Sequence, residues 1–327
     1  MELEISTTPY LRSPEDTPWL MYQVIFSTLP AIGAAYYFFG LAALAITATC
    51  VMACLITERL FQNQQENSTL ADGSAIITGI LLALTLPPGF PLWMAFLGGV
   101  FAVGVGKSIW GGLGQNIFNP SLVGRAFLQA AFPTAITTWS PPDGRYFAWR
   151  GTNLALPFLQ GQNIDTVTEA TPLALLKFQH QHTDFWRLLW GNTGGSLGET
   201  CGIALILGGL YLLWKNAINW RIPLSIFLTA SIFSEGLYLW NPAIYPSPIF
   251  TLLSGGMLLG AIFMATDPVT SPLTPKGCWI FGAGIGFLVV LIRVFGGLPE
   301  GMMYAILLMN GVTPLINRWT PSRVYGT

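Results

Sequence analysis

One segment in the middle of the chain carries residue types suited to holding an anionic group. It runs from Asp165 to Lys177 and reads Asp-Thr-Val-Thr-Glu-Ala-Thr-Pro-Leu-Ala-Leu-Leu-Lys. Thr171 is typical of a helix N-cap, because Pro172 suits the first helical position and the next residues favour a helix. The N–H groups of Leu173 and Ala174 are then expected to be free at the positive end of the helix dipole. Such an N-terminus binds anions, but the same pattern also fits an ordinary capped surface helix.

A second candidate, Arg125, lies within an apolar stretch, six residues after Asn119. At the rise of an α-helix, that position is roughly 9 Å beyond the helix start. If the stretch crosses a membrane, a charge at this depth favours a functional residue that faces the protein interior. The alternative is a guanidinium that snorkels to the interface. Glu235 and Asp267 raise the same question more weakly, since each is expected near the end of a span.

Other polar patterns indicate no chemistry. Cys50 and Cys54 lie in an uncharged run, where two thiols favour packing over metal binding. His180 and His182 have no third ligand nearby, so they are interpreted as part of a solvated loop. The sequence contains no phosphate loop, dinucleotide fingerprint or zinc signature.

Two further patterns predict helix starts. Asp72 precedes a short apolar run and is expected to complement the dipole of the helix that follows. Ser196 and Glu199 have capping-box spacing before the apolar run near 201, so they are predicted to open the sixth span.

The composition sets the environment in which these residues must work. Of 327 residues, 52% are hydrophobic and only 9% are charged, with 12 Trp, 36 Gly and 23 Pro; a soluble domain carries roughly 25% charged residues. The net charge of −1 argues against a nucleic-acid partner. Four cysteines do not make a disulfide framework, and residues 1–14 lack the apolar core of a cleavable signal. The chain is therefore predicted to be a polytopic, all-α membrane protein.

Uncharged runs define about ten spans, because a membrane helix needs about 20 apolar residues. Gly40 divides the run 21–57 into two helices, and the segment 86–91, which contains three prolines, divides the run 73–106. The remaining spans are predicted near 119–132, 199–214, 222–240, 247–265, 277–294 and 301–317. The expected division of the chain is an N-terminal segment 1–19, a first membrane half 20–132, a loop 133–198, a second membrane half 199–318 and a tail 319–327.

The basic residues predict the orientation. With the N-terminus inside, the cytoplasmic side receives Arg12, Arg59, Lys107, Lys215, Arg221, Lys276, Arg318 and Arg323. Among short outer loops only Arg293 lies near the opposite face, and a long loop such as 133–198 is translocated regardless of its charge. Both termini are therefore predicted to be cytoplasmic and the 133–198 loop extracytoplasmic.

The two halves contain matching motifs. Gly79-x5-Thr85-x-Pro87 recurs as Gly260-x5-Thr266-x-Pro268, and the run 107–113 resembles 293–298 with one residue removed. Five spans in each half would make the second half enter from the other side, which is an inverted repeat with its site near the midplane. The short, Pro-terminated helices at 74–86 and 255–266 would then end inside the membrane. The alternative is that Thr-x-Pro merely ends two helices.

Four long motifs carry a resemblance to a known family. They are Gly106–Asn116, Phe118–Phe127, Phe263–Gly277 and Gly296–Gly301. Together they resemble the D subunit of the Rnf (Rsx) ion-translocating electron-transport complex, which is homologous to the B subunit of the sodium-pumping NADH:quinone reductase. The similarity covers essentially the whole chain, and the compact N-terminus favours the Rnf protein over its sodium-pump homologue.

The resemblance implies a covalent FMN. Members of the family carry it through a phosphoester bond to a Thr in a motif close to Asp-x-x-Ser/Thr-Gly-Ala-Thr. The matching residues are Asp165, Thr168, Ala170 and Thr171, and Glu169 stands where Gly or Ala is common. Thr171 is therefore expected to bear the flavin. Some members also hold a noncovalent riboflavin near the cytoplasmic side.

Both the predicted helix N-terminus and the family resemblance point to Thr171. A phosphodiester-linked FMN keeps a negative charge, and the helix that Pro172 begins offers N–H groups and a dipole to meet it. Arg125, or loop cations such as Arg145 and Arg187, are expected to tune the flavin.

The resemblance also implies a fold, partners and a location. The fold is that of urea transporters, two inverted five-helix repeats. The expected partners are the A, B, C, E and G subunits of the Rnf complex, a flavin transferase and the lipid bilayer of the bacterial cytoplasmic (inner) membrane. The leading hypothesis is a flavoprotein component of a redox-driven ion translocase, not an autonomous enzyme. The alternatives are an inverted-repeat solute channel or transporter without a redox role, and a scaffold component without a cofactor.

Overall fold

The regular structure of the described residues is helical throughout. The computed structural model describes residues 16–62, 69–142, 146–147, 149–157, 169–179, 181, 183–242 and 244–321, and no strand occurs in these ranges. The helices before the central segment are α1 (Thr17–Phe39), α2 (Leu41–Phe61), α3 (Ser74–Leu84), α4 (Leu92–Gly104), α5 (Pro120–Ala131) and α6 (Pro133–Ile136), with 3-10 turns at Thr69–Asp72 and Ser108–Trp110.

The second part of the chain continues the helical pattern. Its helices are α7 (Pro172–Gln179), α8 (Phe185–Trp190), α9 (Gly202–Trp214), α10 (Arg221–Trp240), α11 (Pro248–Leu253), α12 (Met257–Leu259), α13 (Pro275–Phe295) and α14 (Met302–Trp319). A π-helical turn, Gly260–Met264, continues α12. A helix or pair of helices therefore occupies each apolar run that the sequence marks as a span.

Several helix ends follow their local sequence. Gly40 separates α1 from α2 at φ +70°, a conformation that favours glycine, so the turn predicted there is confirmed. The Asp72 carboxylate accepts a hydrogen bond from Ser74 N at 2.8 Å, which confirms its role at the start of α3. The capping-box prediction is wrong: α9 begins only at Gly202, and its N-cap residue Cys201 makes no side-chain cap bond.

Among the described residues, four helical segments are long and apolar enough to cross a membrane, namely Leu41–Phe61, Leu92–Trp110, Arg221–Trp240 and Pro275–Phe295. The apolar helices α3 and α9 are shorter. In the packing, α2 lies against α3 and α4, α10 lies against α11 and α13, and α1 contacts α9. Such a set of helices is that of a multi-pass membrane protein.

Protein side chains satisfy the two broken helix ends. Beyond α3, the carbonyl of Thr85 accepts a hydrogen bond from the Arg125 guanidinium. At the end of the π-helical turn, the carbonyl of Met264 accepts one from Asn119 Nδ2 at 3.1 Å. Backbone groups inside a membrane need such partners, since no water is present to replace them. Both breaks are therefore compatible with burial in the bilayer.

Close helix contact explains two small-residue features. A Cβ added at Gly79 of α3 would lie 2.6 Å from Val51 Cα, so α2 and α3 touch through their backbones there. Cys50 and Cys54 on α2 are buried, unbridged and directed at backbone carbonyls of α4. The packing role predicted for these two thiols is confirmed.

Candidate functional site

Thr171 begins the short helix α7. Its Oγ1 accepts a hydrogen bond from Ala174 N at 3.2 Å, and its carbonyl accepts one from Leu175 N at 2.9 Å. Pro172 is the first helical residue. The predicted N-cap is therefore confirmed. The expectation that the Ala174 N–H would be free is wrong, because the Thr171 side chain itself occupies that donor.

Thr171 lines a cavity of about 650 Å³. Its walls come from α5, α6, α7, α14 and the segments beside them, including Arg125, Trp139, Phe178 and Tyr304. Glu300, just before α14, lies at its edge. Small-molecule sites have volumes of roughly 300–1,000 Å³ and mix apolar walls with a few polar groups, so this pocket can hold a cofactor.

Arg125 reaches the pocket from α5 and is only 5% exposed. Its guanidinium donates to the carbonyl of Thr85, and its Nη2 lies 3.6 Å from Glu300 Oε2. The side chain therefore faces the protein interior and does not snorkel to an interface. The structure brings together Thr171 and Arg125, two candidates that the sequence singles out separately.

The other predicted site residues have different positions. Ala170 lines the same pocket beside Thr171. Asp165, Thr168 and Arg145 lie outside the described residues, as do His180 and His182. Arg187 is in the last turn of α8.

Glu169 supplies a titrating group to this pocket. Partial burial raises the pKa of its carboxyl group, and the positive charge of Arg187 opposes that rise. Its backbone N–H donates to the carbonyl of Trp139 at 3.0 Å, which joins two walls of the pocket.

Lys177 connects α7, which lines the pocket, to the end of α13. Its Nζ donates to the carbonyls of Arg293, Gly296 and Leu298 at the C-terminal end of α13. Partial burial lowers the pKa of this ammonium group. A cation at this position complements the helix dipole, so we interpret Lys177 as a structural residue.

Two ionic groups are missed by sequence reasoning. Glu300 lies at the pocket edge, with Glu199 and Arg293 behind it. A separate pair joins Lys107 Nζ to Glu58 Oε1 at 2.6 Å, with both side chains buried. The sequence predicts Lys107 to be a cytoplasmic loop cation, but its side chain lies inside the protein. In neither case does a local motif signal the pairing, because the partners are distant along the chain.

A second polar cavity lies between α1, α3, α5 and the segment after the π-helical turn. Its polar lining includes Lys107, Asn116, Asn119 and Asp267. The volume is about 70 Å³, which is room for a few water molecules.

Comparisons with known proteins give one consistent result. The family described as the NQR2, RnfD, RnfE family matches residues 4–326. The D subunit of the Na(+)-translocating ferredoxin:NAD(+) oxidoreductase complex of Acetobacterium woodii is 42% identical over 331 residues, covering 100% of this chain and 96% of the relative. The D subunit of the proton-translocating ferredoxin:NAD(+) oxidoreductase complex of Clostridium ljungdahlii is 40% identical, with 99% and 96% covered. The D subunit of the ion-translocating oxidoreductase complex of Yersinia pseudotuberculosis is 38% identical, with 99% and 98% covered.

Proposed function

We propose that this chain, which belongs to the NQR2, RnfD, RnfE family, is the flavin-carrying membrane subunit of an ion-translocating oxidoreductase complex. It relays electrons between partner subunits through FMN esterified to Thr171, and this relay is coupled to ion movement. One observation carries the proposal: Thr171 and Arg125 line one pocket of about 650 Å³ in a chain whose relatives are named as subunits of ion-translocating oxidoreductase complexes. None of the three relatives above is named as a solute channel.

The residues present fit a phosphoester-linked flavin. Thr171 Oγ1 supplies the bridging oxygen, which the Ala174 N–H holds in position, and the positive end of the α7 dipole faces the remaining phosphate charge. Trp139, Phe178 and Tyr304 contribute aromatic side chains to the lining of the pocket. A flat aromatic ring system packs well against such side chains. When bound, the flavin supplies the electron-accepting chemistry, while the protein supplies position and electrostatics.

Arg125 provides a fixed positive charge in this pocket. A cation beside a redox group favours the more negative, reduced form, and burial strengthens that interaction relative to water. Its bonds to the Thr85 carbonyl and the Glu300 carboxylate hold the guanidinium in place. We assign Arg125 to tuning the flavin on this ground, with Arg187 acting more remotely through Glu169.

For the architecture we propose ten spans in two inverted repeats. The support is the corresponding packing of α2 on α3 and α4 and of α10 on α11 and α13, together with the two helix breaks at matching motifs. With both termini in the cytoplasm of a bacterium, α7 and the Thr171 pocket lie on the outer side of the inner membrane. The basic residues support this orientation.

The proposed partners follow from the same reasoning. The A, B, C, E and G subunits of an Rnf complex supply and remove electrons, and a flavin transferase attaches the FMN.

Attachment at Thr171 is tested by Thr171→Val, expressed beside the flavin transferase. The side chain keeps its shape but lacks the oxygen that forms the ester, so we expect covalent flavin to disappear while membrane insertion is retained. Ultraviolet fluorescence of the denatured protein band and the mass of the peptide containing residue 171 report attachment. The matched control is Thr138→Val, because Thr138 lines the same pocket but lies outside α7.

Two results would overturn the assignment. One is a denatured Thr171→Val band that remains as fluorescent as the wild type. The other is an unmodified Thr171 peptide in protein taken from the assembled complex.

A further inference from the structure

Two carboxylates and two guanidinium groups meet behind the Thr171 pocket. Glu300 Oε1 accepts a hydrogen bond from Gly256 N at 3.1 Å, and its Oε2 faces Arg125. The Glu199 carboxyl lies beside the Glu300 carboxyl, because a Cβ added at Gly256 would lie 3.0 Å from Glu199 Oε1 and 3.8 Å from Glu300 Oε1. Arg293 lies near Glu300 as well, because a Cβ added at Gly255 would lie 3.2 Å from Arg293 Nη2 and 3.0 Å from Glu300 Oε1. The cluster therefore gathers four ionisable groups from segments that are distant in the sequence.

Backbone carbonyls hold the Arg293 guanidinium in this position. Its Nη1 donates to the carbonyl of Thr251 at 2.7 Å and its Nη2 to the carbonyl of Ser254 at 2.9 Å. Arg125 is held in the same way by the carbonyl of Thr85. The two positive charges are therefore fixed by backbone contacts, and the two carboxylates are the groups that can change charge.

A small cavity lies beside the carboxyl pair and shares Thr171 and Glu300 with the lining of the Thr171 pocket. It has a volume of about 20 Å³ and is lined by Thr171, Glu199, Thr200 and Glu300, among others. That volume holds one water molecule. Thr200 is 2% exposed, and its Oγ1 has no hydrogen-bond partner among the described residues. The Thr200 hydroxyl is therefore a buried polar group with an unmet hydrogen bond, and it borders the same space as the two carboxyl groups.

Electrostatics limits the charge of this pair. Two adjacent carboxylates repel each other strongly when both are ionised, and a proton bound by one of them removes that repulsion. With both ionised, the two Arg and two Glu residues sum to zero, and with one proton bound the sum is +1. A negative charge that arrives in the adjacent pocket favours the +1 state. The other groups facing the cluster are Glu169 and Tyr304 in the pocket and Lys177, which binds the Arg293 carbonyl.

We propose that the Glu199–Glu300 pair is a proton-binding site that takes up one proton when the redox group in the Thr171 pocket gains a negative charge. This inference rests on the proposed function for its redox step. The proton comes from water through the pocket and the small cavity, and one O–H bond forms on a carboxylate. On reoxidation that bond breaks and the proton returns to water, while the electron comes from and returns to partner subunits.

Infrared spectroscopy of the full-length protein tests this directly, because a protonated carboxyl group has a C=O stretch that is separate from carboxylate bands and shifts in D₂O. The variants are Glu199→Gln and Glu300→Gln, with Glu235→Gln as the control, since Glu235 is exposed on α10. Difference spectra are recorded before and after reduction with dithionite. A parallel series in the Thr171→Val background removes the flavin but leaves the carboxyl pair in place.

The expected result is a carboxylic acid band that grows on reduction in wild type and Glu235→Gln but is absent from both other variants. In the Thr171→Val background the pair should still titrate as one coupled unit with pH, without responding to dithionite. The inference is overturned if flavin-loaded wild type shows no such band, or if the band persists in both Gln variants. Wild-type protein from the assembled complex that carries no flavin, but whose carboxyl pair still titrates, would instead refute the proposed function alone.

Discussion

Replacing Lys107 with Met should destabilise the protein strongly, because it breaks a buried ion pair between α2 and the segment after α4. Lys107 Nζ contacts Glu58 Oε1 at 2.6 Å and also donates to the hydroxyl of Ser74, the first residue of α3. The two side chains are 3% and 5% exposed. Glu58 Oε2 has no other partner among the described residues.

The expected size of the effect follows from this geometry. At the 2.6 Å separation, Coulomb's law with an effective dielectric constant near 20 gives an attraction of roughly 6 kcal/mol. Desolvation offsets part of that gain, and breaking a buried pair by removing one partner costs about 3–5 kcal/mol. With an unfolding entropy of about 2.1 cal/mol/K per residue, that loss lowers the Tm of a 327-residue chain by roughly 4–7 °C. The double variant Lys107→Met/Glu58→Gln should recover much of the loss, since no unpaired charge stays buried.

Thermal unfolding in detergent, followed by tryptophan fluorescence, measures the difference. The control is Lys276→Met, because Lys276 is exposed at the start of α13. A Lys107→Met variant as stable as the control would refute the reasoning. So would a double variant that is no more stable than the single one, because the cost would then not come from an uncompensated Glu58.

Two further variants test the packing and the pocket. Gly79→Ala should cost about 1–3 kcal/mol of unfolding free energy by overpacking, because its Cβ would lie 2.6 Å from Val51 Cα; Gly236→Ala, with no atom within 4 Å, should cost nothing in the same melting assay. Glu169→Gln should change the pH dependence of stability. Burial raises the folded-state pKa of Glu169, so the folded protein binds the proton more tightly and wild type loses stability as pH rises from the ordinary pKa through the raised one. The variant should therefore be more stable than wild type above that window and equal below it, and parallel pH profiles would contradict this.

The sequence predicts the helices well because their signals are local. An uncharged run, the glycine at position 40 and the Asp72 carboxylate each act within a few residues, and the structure places helix ends at those points. The same is true of the Thr171-Pro172 pair that begins α7. A local signal can still mislead, as the Ser196-x-x-Glu199 pattern does.

The candidate site is less predictable because its contacts join distant segments. Glu199 resembles a helix-capping residue in sequence, yet its carboxyl lies against Glu300. Lys107 resembles a loop cation, but it is buried against Glu58. Periodicity and motif spacing contain no information about such pairs. The sequence signal for such a site is a single charged residue within an apolar run. Arg125 shows this signal, because no acidic residue nearby in the sequence could pair with it.

The helix breaks explain why charged groups surround the pocket. A helix that ends inside a membrane leaves backbone carbonyls without partners, and each such end must receive a donor from another segment. Arg125 serves the Thr85 carbonyl and Arg293 serves that of Ser254. Because a carbonyl is uncharged, these hydrogen bonds leave the positive charge of both guanidinium groups uncompensated, and that charge attracts Glu300. The electrostatics of the site thus follows from a requirement of the fold.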